Sequence, residues 1–104
     1  MTDTLYMNTN TTTAQHIGRM NILAISGGRI QVESDVTIAL PVRYGYWVRV
    51  TYNEATDLYD VYRIFTRGLK VTVKGEVHGL YADQVGEAAY RASCFRDEFG
   101  EVAA

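Results

Sequence analysis

Residues 46–77 leave this chain few ways to fold. The runs YWVRVTY (46–52) and LYDVYRIF (58–65) are dense in β-branched and aromatic residues and are separated only by NEATD, the signature of two strands joined by a polar loop of hairpin length. Arg67-Gly68 then leads into an alternating run, with Leu69, Val71 and Val73 on one side and Lys70, Thr72 and Lys74 on the other. A parallel crossover needs about a dozen residues or more. Connections this short therefore dictate three consecutive antiparallel strands, the last extending from Leu69 to Val77.

The flanking segments complete the architecture. Thr12 or Thr13 is placed to cap a short helix carrying Ala14, Ile17 and Met20 or Asn21 at helical spacing. ILAIS (22–26), short, apolar and followed by Gly27-Gly28, reads as a strand entering a turn. RIQVE (29–33) and VTIALPV (36–42) read as further strands, and Pro41, which has no N–H to give a ladder, marks a strand end or an edge. After Gly79 the period changes: Tyr81, Val85, Ala88, Ala92, Phe95 and Phe99 recur at spacings of four and three, the stripe of an amphipathic helix that Gly100 stops. Asp83 and Glu87 near its start, and Arg91 and Arg96 near its end, suit the helix dipole. The expected fold is α+β: a short N-terminal helix, an antiparallel meander of about four to six strands, and a C-terminal helix packed on the sheet. The chain's 104 residues make one domain, 11–100, with a flexible leader at 1–10 and a frayed tail at 101–104.

Chemistry is sparse. His16 and His78 stand alone, without the Cys/His or HExxH spacing that would hold zinc. Ser26 lacks the G-x-S-x-G frame of a nucleophile elbow, and Gly27-Gly28 opens onto RIQVE rather than the helix a phosphate loop requires. Asp57 and Asp60 flank a hairpin strand and read as solvated turn or edge groups, while His78, at a strand-to-helix junction, has no identifiable partner. No catalytic residue, metal site or cofactor is assigned, and the chain reads as a non-enzyme. No apolar run approaches the ~20 residues of a membrane span, and MTDTLYMNTNTTT has none of the regions of a signal peptide. A cytoplasmic protein with no membrane partner is expected, in keeping with the lone Cys94, which has no partner for an internal disulfide.

What the strands present outward is more informative. Net charge is −2, yet residues 43–74 carry six basic groups against three acidic, and residues 75–104 six acidic against two basic. If Val48 and Val50 face inward, Trp47 and Arg49 face out, and Tyr59, Arg63, Lys70 and Lys74 on the following strands complete a face of aromatics and cations. Tyr, Trp and Arg are the side chains enriched in interface hot spots, and the chain has eight tyrosines. Two functional readings follow: protein–protein association, including homo-oligomerisation, through this face, or a nucleic-acid-binding module that stacks bases and neutralises phosphates with it. Core packing on both sides of the sheet is the plain alternative to either.

The segments TAQHIG (13–18), ISGGR (25–29), DLYDV (57–61) and TRGLKVTVKGEVHGLYADQ (66–84) together resemble a family of small phage-encoded proteins of unknown function, common among phages of actinobacteria and in metagenomic sequence. The resemblance runs from Thr13 to Gln84 and is most specific between RGLK and LYADQ, whereas RASCFRDEFGEVAA departs from the family's Gly- and Tyr-containing end. It implies a phage gene product acting in the host cytoplasm by binding a host or phage protein, and it brings no catalytic residue.

Overall fold

A computed structural model describes residues 9–101. Among these residues two short helices, α1 (Thr9–Ile17) and α2 (Arg19–Ser26), precede five strands, β1 (Gln31–Val32), β2 (Thr37–Pro41), β3 (Tyr46–Asn53), β4 (Leu58–Arg67) and β5 (Lys70–Leu80), and a third helix, α3 (Val85–Ser93), follows them. The strands form one antiparallel meander in the order β1-β2-β3-β4-β5. The protein is an α+β domain, with its helices on one face of the sheet.

Alternation decides that arrangement. Ile38 and Leu40 on β2, Val48 and Val50 on β3, and Tyr59 and Val61 on β4 are buried together with Ile17, Ile22, Ile25, Val85, Ala89, Ala92 and Phe99. The buried side of α3 consists of Val85, Gly86, Ala89 and Ala92, all small, so this helix lies close to its neighbours. At Gly86 a Cβ would stand 2.5 Å from the Ile17 carbonyl oxygen; only glycine allows α1 and α3 to approach so nearly.

ILAIS is helical rather than a strand. Ile22 and Ile25 point into the core, and Gly27, at φ 67°, ends α2 in the left-handed conformation that glycine adopts without cost. Its N–H donates to the Leu23 carbonyl at 2.9 Å and that of Gly28 to Ile22 at 3.4 Å, so the glycine pair terminates a helix instead of turning a strand. A short apolar run bounded by glycines has the same appearance in either case.

The ends differ from expectation too. The α1 helix already includes Thr9 and Asn10, whose Nδ2 donates to the Ser34 carbonyl at 2.7 Å. Thr13 is buried inside the helix and donates to the Thr9 carbonyl at 2.9 Å, so it is not the cap. The remainder of the expected leader, residues 1–8, lies outside the described residues, as do residues 102–104 of the expected tail. Glu101 pairs with Glu76 of β5 through backbone bonds of 2.9 and 3.1 Å. The C-terminal helix is shorter than its apolar stripe: Tyr81 precedes it, and Phe95 and Phe99 follow it. Phe95 stacks on Tyr46, with ring centroids 4.6 Å apart, and Phe99 turns back into the core. Pro41 does end a strand, and β1, which pairs only with Ile38 and Ala39, stops short of it.

Candidate interaction surface

The hairpin register determines which side chains share each face. Asn53 lies opposite Leu58, so Tyr52 pairs with Tyr59, Val50 with Val61 and Val48 with Arg63, while Thr51 meets Asp60, Arg49 meets Tyr62 and Trp47 meets Ile64. The first set faces the helices. The second forms the open face, continued by Ala39 opposite Arg49 and by Glu76 and Val73 opposite Tyr62 and Ile64.

This divides the six side chains expected to act together. Trp47 and Arg49 do lie side by side on the open face. Tyr59 and Arg63 lie on the opposite face beneath the helices, 3% and 5% exposed. Both face the covered side of β4, four residues apart and away from Trp47, so the six side chains do not form a single basic, aromatic face. Lys70 and Lys74 are exposed on β5, an outer strand of the sheet. Lys70 sits beside the β4–β5 turn opposite Arg67, and the Lys74 ammonium lies 5.8 Å from the Phe65 ring centroid.

Arg63 is a structural cation. Its guanidinium donates to the carbonyls of Ala92 at 2.8 Å, Asp97 at 2.6 Å, Cys94 at 2.9 Å and Arg91 at 3.1 Å, and its Cζ lies 5.4 Å from the Phe99 ring centroid. The last carbonyls of a helix lack intrahelical donors; here the Cys94 N–H reaches the Arg91 carbonyl at 3.1 Å, and the planar fork from β4 donates to the Arg91 and Ala92 carbonyls and to those of Cys94 and Asp97 just beyond the helix. Burial draws the Arg63 pKa down from the usual arginine range. α3 ends at Ser93, short of the apolar stripe, with Cys94 outside the helical conformation at φ −80° and ψ 71°.

The open face has an apolar floor and a charged margin. Ala39 and Ile64 are 2% exposed although neither belongs to the cluster under the helices. With Trp47, Thr66 and Val71 they line a depression of about 200 Å3, rimmed by Gln31, Glu33 and Arg49. Arg49 makes a bidentate pair with Glu33, at 2.6 Å and 3.2 Å. Farther along, His78 Nε2 lies 2.7 Å from Glu76 Oε1, and its Nδ1 lies 3.2 Å from Asp60 Oδ1. The Tyr62 ring meets the imidazole edge-on at 5.5 Å. The Glu76 hydrogen bond raises the His78 pKa above 6.5; desolvation opposes this and Asp60 reinforces it. His78 thus belongs to β5 and has two carboxylate partners: Glu76, two residues back on the same strand and so on the same face, and Asp60 from β4, which only register brings near. Among the described residues no group of His, Cys, Asp or Glu side chains is arranged to hold a metal ion.

Sequence reasoning missed Tyr62, Ile64, Val71, Glu33, Asp60 and Glu76 as members of this face. The signal was the hairpin's closing pair: once Asn53 is set opposite Leu58, Arg63 must share a face with Val48. No protein-family model, curated protein or solved structure matches the chain.

Proposed function

We propose that this is a non-enzymatic phage accessory protein that acts by protein–protein association, self-assembly included, through the open face of its sheet. The supporting observation is Trp47, half-buried beside Arg49 over Ile64 and Ala39, on a face that no described helix covers. A large aromatic beside an arginine, above an apolar floor with a charged margin, is the composition of an interface centre. The outermost strand is a poorer docking element: Lys70 and Lys74 are exposed on it and a bulge interrupts its pairing at Arg63/Ile64, devices that discourage edge-to-edge pairing. The phage origin and the host cytoplasm as setting rest on the family resemblance. No helix among the described residues is long and apolar enough to cross a membrane.

Charge weighs against nucleic acid as the partner. With Tyr59 and Arg63 turned away, Arg49 shares the open face with Glu33, Asp60 and Glu76. Phosphate binding is driven by basic groups that release counterions, and here the cation is already paired.

The test is equilibrium sedimentation of the free protein, together with affinity capture from host lysate, before and after nuclease treatment. Trp47 is the single tryptophan, so its fluorescence reports directly on this surface. Association should bury it, shifting its emission to the blue, and a folded Trp47→Ala/Arg49→Ala variant should weaken association by about 2 kcal/mol or more. An Arg49→Glu variant gives the same reading without disturbing the Trp47 packing. A monomer at every concentration that captures no nuclease-resistant protein overturns the proposal.

A further inference from the structure

On the helix side of the sheet, at the end where the β3–β4 hairpin turns, a second cleft opens. It has a volume of about 450 Å3 and is lined by Thr9, Thr12, His16, Tyr52, Asp57, Tyr59, Tyr81 and Ala82, within the range of small-molecule sites. Its walls are aromatic. The accessible rings are those of Tyr52 and Tyr81; Tyr59, 3% exposed, backs the Tyr52 ring at 5.4 Å and an inclination of 58°. His16 meets Tyr59 edge-on at 5.7 Å and shares a 2.7 Å hydrogen bond with its hydroxyl. Tyr81 stands across the opening, 63% exposed, with its backbone fixed by a Gln84 side-chain bond of 2.9 Å. Asp57 is the one carboxylate among the lining residues, and no Lys or Arg accompanies it. The Tyr52 hydroxyl donates to Asp57 and holds its carboxylate at the cleft.

The accessible Tyr52 and Tyr81 rings beside one carboxylate, with no Lys or Arg among the described lining residues, make a poor host for an anion and a good one for a compact organic cation, which is attracted to ring faces and to the carboxylate together. We infer that this cleft is a binding site for an alkylammonium group, either of a free amine or of a lysine side chain carried on a peptide. The site lies on the opposite side of the sheet from the Trp47 surface and does not depend on it.

The experiment is an NMR titration of the full chain with choline and with 3,3-dimethylbutan-1-ol, its uncharged isostere. Capped lysine amide and methyl glucoside form two further arms. Saturable shifts at Tyr52, Tyr59 and Tyr81 with choline or capped lysine, at least tenfold weaker with the neutral alcohol, support the site; the tighter of the two cations identifies the source. Asp57→Asn removes the charge while retaining a residue that tolerates the left-handed backbone found there, φ 59°, and it should weaken binding about tenfold with the amide spectrum otherwise intact. Tyr81→Ala, which alters an exposed side chain, should weaken it severalfold. Equal response to the alcohol, a response to the glucoside alone, indifference to Asp57→Asn, or no response to either cation overturns the inference.

Discussion

Arg49 and Arg63 stand on neighbouring strands, one on each face of the same sheet, and they are held in opposite ways. Arg49 faces solvent and forms a bidentate pair with Glu33, its side chain 34% exposed. Arg63 is enclosed, has no carboxylate within bonding distance among the described residues, and spends its donors on four backbone carbonyls, two in the last turn of α3 and two just beyond it. An exposed ion pair exchanges one well-solvated state for another and contributes ~1 kcal/mol at most. The Arg91 and Cys94 carbonyls also accept backbone N–H groups, from Cys94 at 3.1 Å and Asp97 at 2.9 Å, but the carbonyl of buried Ala92 depends on the Arg63 fork, and a buried acceptor left without its donor loses hydration and recovers nothing. The two residues are equivalent in sequence; what differs is what each would leave behind if removed.

Arg63→Ala should therefore have the largest effect, a loss of about 3 kcal/mol or more in urea unfolding. Arg63→Lys should recover less than half of that, because a point-like ammonium cannot match a planar fork aimed at several carbonyls. If lysine restores full stability, the cap is electrostatic rather than geometric, and the contrast with Arg49 loses its basis.

Gly86→Ala probes the same covered side without touching charge. The added methyl must displace α1 from α3 and should cost about 1–3 kcal/mol, read as a lower urea midpoint. Arg49→Ala belongs at the other end of the scale: within ~1 kcal/mol of the parent, with any difference diminishing as salt is added. A larger loss would mean that Arg49 supports the apolar floor through its stem.

The smallest effect concerns His78. Because its folded pKa is raised above 6.5, its contribution to stability is fully present below the unfolded value and is lost as pH rises through the folded value. Titration of the imidazole by NMR should give a midpoint above 6.5, and His78→Gln should flatten the decline in stability between that unfolded value and the folded midpoint. A midpoint below 6.5 would show desolvation outweighing Glu76.

Much of the fold was legible because local pattern and chain length constrained it: alternating runs with short connections could only build an antiparallel meander. The ILAIS helix was not, since a run too short to show a period takes its conformation from what it packs against. The candidate site was half legible. Trp47 and Arg49 emerged from alternation on one strand, but joining strands requires register, and assigning Tyr59 and Arg63 to the wrong face followed from leaving the closing pair of the hairpin unfixed. Asp60 reaches His78 from β4, and Tyr52 and Tyr81 meet beside Asp57 from separate segments; only the Glu76–His78 pair, two residues apart on one strand, was open to sequence spacing.

The Arg63 cap also bears on the order in which a growing chain becomes stable. Its farthest acceptor, the Asp97 carbonyl, lies 34 residues downstream, so the meander leaves the ribosome with a charge on the surface destined to be its interior. Pairing between β3 and β4 can begin early, but the covered side gains its full complement of bonds only when the final turn of α3 and the segment to Phe99 arrive. Arg63 therefore has its full set of acceptors only once residues 91–97 are in place.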